Sequence, residues 1–160
     1  MMEKMKLKTF LISLLLVSGA GHADSSVEDL SPELRGLLAK EMAALQEGMQ
    51  SLIPAYASGD FEAIAEIAAA MKNSYVLKQE ITDSQKHELA SKLPAPFLDL
   101  DQKFHEYAGM LEHVATEENA EHVGFFFYRL TESCVGCHSQ FATHRFPLFE
   151  AKAVTSDHHH

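Results

Sequence analysis

From Ser31 onward, apolar residues return at steps of three and four, the period of helices buried along one side, with almost no alternating strand pattern. The first helix is predicted to open at Ser31 as cap with Pro32 in the first helical position. Its stripe is Leu34, Leu38, Met42, Leu45, Met49, Leu52 and Tyr56, bundle-core spacing. Pro54 lies inside it and is expected to kink the last turn or end it early. Gly59 is the stop and Asp60 the next cap. A second helix carries Phe61, Ile64, Ala68, Met71 and Tyr75, and its pattern fades near Tyr75 to Leu77. Thr82 and Gln85 have capping-box spacing, so a short helix is expected from Asp83 to about Lys92. Leu93-Pro94-Ala95-Pro96 breaks the chain. A third long helix holds Phe97, Leu100, Phe104, Ala108, Leu111 and Ala115, with a turn over Thr116 to Asn119. The fourth, capped by Asn119, lines up Val123, Phe127, Leu130, Cys134, Cys137 and Phe141. Four amphipathic helices with mostly short connections predict an all-α fold, an antiparallel up-down-up-down four-helix bundle. The bundle domain is expected over 24–145, with the aperiodic 146–160 as a mobile tail, its terminal His158, His159 and His160 assigned no function.

The front of the chain follows a different grammar. Lys4, Lys6 and Lys8 precede an apolar run from Phe10 to Val17 and a small-residue stretch from Ser18 to Ala23. That order is a secretory signal peptide, expected over 1–23 with cleavage after Ala23. The apolar run falls well short of the roughly 20 residues that span a bilayer, and no membrane span is expected. The full chain has 13 basic and 23 acidic residues, net −10. Removing the leader leaves 10 against 22, net −12. Such a surface repels phosphate backbones, which argues against a nucleic-acid partner and suits a basic protein partner.

The two cysteines fall in Cys134-Val135-Gly136-Cys137-His138. Four readings compete: a zinc half-site, a thioredoxin-like redox pair, a plain disulfide and covalent c-type haem attachment. Zinc wants four ligands, and no second Cys-x-x-Cys completes the set. A redox pair belongs at a helix N-terminus, whereas this one comes late in its helix. The histidine directly after the second cysteine favours haem. On a helix, positions i, i+3 and i+4 share a face, so Cys134 and Cys137 can form thioethers to two vinyl groups while His138 offers iron a neutral imidazole. The expected cofactor is one haem c, and export agrees, because c-type haem is attached outside the bacterial cytoplasm.

An exported four-helix chain with a single Cys-x-x-Cys-His near its C-terminus resembles the class II c-type cytochromes, the cytochrome c′ type, over roughly Leu30 to Phe141. The resemblance implies a haem-bearing four-helix bundle and a homodimer through the first two helices. Some members leave the sixth iron position open and bind small gases; others fill it with a methionine from the first helix and transfer electrons. The usual pattern has an aromatic and then an arginine shortly after the motif histidine. Here Phe141 supplies the aromatic, but Ala142 stands where arginine is expected and Arg145 comes a turn later.

The candidate sixth ligand is Met42. In an antiparallel bundle the end of the fourth helix lies beside the start of the first, and Met42 is about 15 Å in from Pro32. Met49 is about 10 Å deeper and better suited to the haem edge. Met71 and Met110, also in helical segments, read as core fillers. His105, on the flank of its stripe, reads as solvated, and His113, His122 and His144 as surface residues. Arg35 is a candidate partner for a haem propionate. In the run Phe125-Phe126-Phe127-Tyr128, Phe127 and one neighbour are expected to pack against haem and core. The expected protein is therefore a periplasmic monohaem cytochrome with His138 and Met42 as axial ligands, passing electrons to an unidentified redox partner. The alternative is a five-coordinate protein that binds or senses NO or CO. An enzyme ranks behind both, since the sequence offers no distal acid–base set.

Overall fold

The computed structural model describes residues 27–73 and 81–152. The expected leader over 1–23, the fading pattern at Tyr75 to Leu77 and the terminal histidines lie outside the described residues. Among the described residues there are five α-helices and no strand: α1 (Pro32–Ser58), α2 (Phe61–Lys72), α3 (Asp83–Lys92), α4 (Ala95–Thr116) and α5 (Ala120–Phe141). The side chains of Ser31, Asp60 and Asn119 accept the N–H of Leu34, Ala63 and His122. Thr82 and Gln85 form the full capping box of α3. Gly59 closes α1 in the left-handed region at φ 71°, where a side chain would be strained.

The expectations about α1 are met in part. The helix passes Pro54 and stops at Gly59 as expected, so of the two outcomes expected at the proline the early end does not occur. Burial of Leu52 and Ala55, and the bond from Tyr56 Oη to the Ala120 carbonyl at 2.9 Å, hold the last turns against the proline's cost of about 3 kcal/mol. The inward face also differs. The buried positions are Leu34, Glu41, Gly48, Leu52 and Ala55, while Met42 and Tyr56 are 40% and 38% exposed. The line at 34, 41, 48 and 55 repeats every seven residues and passes through a glycine and an alanine as well as Glu41.

α2 packs chiefly on α4, α4 on α5, and α1 along α2 with a lighter touch on α5. The main core contains Leu52, Ile64, Ala68, Met71, Phe104, Ala108, Leu111, Val123 and Leu130. A second, smaller cluster of Leu30, Leu34 and Leu93, joined by Leu38, Leu89 and Phe97, sits at the opposite end of α1 from Gly59. There α3 is tied down by the Ser31 N–H donating to Glu88 at 2.6 Å and Lys92 donating to the Asp29 carbonyl at 2.6 Å. The end of α1 lies beside the start of α5, through Tyr56 and Ala120, and Val27 and Glu28 lie beside Phe141 and His144. The molecule is a helical bundle. The chain after Arg145, expected to lack regular structure, forms a 3-10 helix over Pro147–Lys152.

Candidate functional site

Cys134, Cys137 and His138 occupy the last turns of α5, where the two apolar clusters meet. Cys134 packs on the main core, and one turn past Cys137 the Phe141 ring meets Phe97 of the second cluster edge-on at 5.4 Å. Both thiols are free and partly buried. Burial pushes the Cys134 thiol up. Cys137 is pushed to about 11, first by burial and then by the negative charge of Asp101 and of Cys134. These directions oppose a redox pair, which needs a stabilised thiolate. Among the described residues, no group of three or more His, Cys, Asp or Glu is placed to hold a metal ion, so the zinc reading gains no further ligand.

Burial lowers the pKa of His138, which favours the neutral imidazole that a metal ligand must be. Its ring is stacked on Phe146 at 4.3 Å between centroids and 14° between planes. The chain turns back after Ala142 to deliver that ring, with the Phe146 N–H donating to the Ala142 carbonyl at 3.0 Å. The stack covers a face of the imidazole. The ring nitrogens bind in the ring plane, so it leaves them available while limiting how the ring can rotate. Beside the motif, Val27, Glu28, Phe141 and His144 line a cleft of about 130 Å³. A larger cleft, about 300 Å³ between α1 and α2, is lined by none of the motif residues.

The other expected residues divide. Phe127 packs against the main core with its neighbour Phe126, which is the core half of what was expected of them. Arg35 is exposed on the first turn of α1. Met42 is on the flank of α1 and not on its inward stripe, because Glu41 holds the inward position. Met71 fills the core and Met49 packs against it, but Met110 is exposed, so it is not the expected filler. His105 is not a solvated flank residue: its Nδ1 lies 2.9 Å from the Met71 carbonyl, and its Nε2 3.7 Å from Asp101. His113, His122 and His144 are exposed, as expected.

Three residues escaped the sequence reading: Phe146, in a segment without periodicity; Asp101, on the polar side of its helix; and Glu41, a charge in an apolar line. A strict seven-residue count from Leu34 would have found Glu41. Compared with family models, with curated proteins and with solved structures, the chain matches none.

Proposed function

We propose that the chain is an exported monohaem c-type cytochrome that transfers electrons, its haem held covalently by Cys134 and Cys137 and ligated by His138. The observation that carries this reading is the Cys-x-x-Cys-His set on a single helix face, with both thiols free and the imidazole kept neutral by burial. The donor chemistry fits the group. A thiol adds across a vinyl C=C with its proton, forming one C–S and one C–H bond, and needs no oxidant. When bound, the haem supplies the one-electron ferric/ferrous couple. Cys134 and Cys137 fix its position, His138 donates a nitrogen lone pair, and Phe146 holds the imidazole orientation and shields one face from water. The resemblance to cytochrome c′ supports the same reading, as does the leader expected over 1–23. The acidic surface suits a basic redox partner.

The sixth position separates two versions of this proposal. In the first, Met42 ligates the iron, which raises the potential and closes the site. In the second, the site is open to NO or CO. The 40% exposure of Met42 and its position beside the inward line favour the second. Absorption spectra in both oxidation states discriminate them. Methionine ligation predicts a low-spin ferric spectrum that turns high-spin in Met42→Ala, with new carbon monoxide binding to the reduced form. The open site predicts a high-spin wild type that binds carbon monoxide and is unchanged by Met42→Ala.

A further inference from the structure

Phe146 belongs to neither apolar cluster and is 40% exposed, yet its ring lies flat on His138, 4.3 Å between centroids and 14° between planes. Core packing therefore does not account for its place. A run of turns past the end of α5 delivers it. The Arg145 N–H donates to the Ala142 carbonyl at 2.9 Å, and the Phe146 N–H to the Ala142 and Thr143 carbonyls, each at 3.0 Å. The strap continues into the 3-10 helix, where the Phe149 N–H donates to the Phe146 carbonyl at 3.1 Å. Two residues before Phe146, His144 lies 3.8 Å from Glu28, and the two line the cleft beside the motif with Val27 and Phe141. Hydrogen bonds before and after Phe146 thus hold the turn that carries its ring.

The stack has a chemical consequence. Groups packed around a ligating histidine fix the orientation of its ring. A metal bonded to an imidazole nitrogen lies in the plane of that imidazole. A second ring stacked on it therefore stands beside the metal–nitrogen bond, on the same side of the metal as the histidine. In a haem the porphyrin plane crosses that bond, so the aromatic ring fills the space into which the imidazole would swing or a competing ligand would enter. We propose that Phe146 is a positioning residue for His138: it fixes the imidazole plane and closes that side of the haem, so that exogenous ligands reach iron only from the side opposite His138. This rests on the haem reading above and deepens it, since it assigns the side of access.

The test uses the full chain with Phe146→Ala, Phe146→Leu, the conservative Phe146→Tyr and, as control, Leu148→Ala, an 82% exposed position of the same strap. In the haem-free chain, the ring current of Phe146 should move the His138 ring-proton resonances upfield. Phe146→Leu should abolish that shift, and Phe146→Tyr and Leu148→Ala should keep it. In the exported, haem-loaded chain, the ferric cyanide complex should give one set of electron paramagnetic resonance g values in wild type, Phe146→Tyr and Leu148→Ala. Phe146→Ala should broaden or split that set, because the imidazole plane is no longer fixed. At high cyanide, conversion to the bis-cyanide form, in which His138 has left the iron, should run about tenfold faster in Phe146→Ala, and Phe146→Tyr should restore the wild-type rate. A His138 resonance that does not move in Phe146→Leu overturns the inference at its geometry. Covalent haem in all variants, with unchanged g values and a displacement rate within about twofold of wild type in Phe146→Ala, overturns it while the haem reading stands. A wild-type chain that acquires no covalent haem overturns that reading and this inference with it, before any variant is made.

Discussion

Cys137 keeps its proton far into the alkaline range, and the cause is local: it is partly buried and faces the negative charge of Asp101. The ordinary thiol value is 9.0 and the folded value about 11, which sets a sign for stability. Below pH 9 the thiol is protonated whether the chain is folded or not, and its contribution is fully present. Between 9 and about 11 the unfolded thiol ionises while the folded one does not, so the unfolded state binds fewer protons and stability falls as pH rises. In protein without haem, urea midpoints followed from pH 8 to 11 should therefore decline, and Cys137→Ser should flatten part of that decline. An identical slope in the variant would contradict the environment described for Cys137. Once a thioether has formed the group cannot titrate, and this part of the pH dependence should be gone.

At the scale of elements, α1 tests the packing most sharply, because two of its residues exchange the roles their chemistry suggests. Leu34→Ala removes a fully buried side chain from the smaller cluster and should cost about 2–5 kcal/mol. Met42→Ala removes a half-exposed one and should cost about 1 kcal/mol or less, read by urea denaturation. Equal costs would mean that α1 turns its methionine face inward. The helices themselves were legible in the sequence, since Ser31, Asp60, Thr82 with Gln85, and Asn119 mark every side-chain-capped start. The inward face of α1 was legible in part: Leu34 and Leu52 are buried and Leu38, Leu45 and Met49 pack against the two clusters, but Met42 and Tyr56 are exposed and Glu41 is buried. Apolar size was a poor guide there, because the buried line runs through Gly48 and Ala55 with Glu41 in series. The contact of Phe146 with His138 was equally hidden, since it depends on how the chain turns after Ala142 and not on any period along it. For the motif, the structure adds only that its five consecutive residues lie in the last turns of α5, as the sequence pattern predicts.

For the whole molecule, the bundle brings the ends of α1 and α5 together around the motif, and α3 closes that end by binding Ser31 and Asp29. If the motif holds the haem proposed above, the redox centre would lie near one end of an acidic protein rather than at its middle, a placement that would suit electron exchange with a docked basic partner. The proposed function depends on covalent attachment of the haem. The direct measurement is made on the full chain exported alongside a c-type maturation machinery: acid-acetone extraction, then the pyridine haemochrome spectrum of the precipitated polypeptide. The account predicts one haem per chain remaining with the protein, with the spectrum of a haem whose two vinyl groups are saturated, and its loss in the double variant Cys134→Ser, Cys137→Ser. Haem that passes into the acetone from the wild-type chain, or that stays with the double variant, would contradict it.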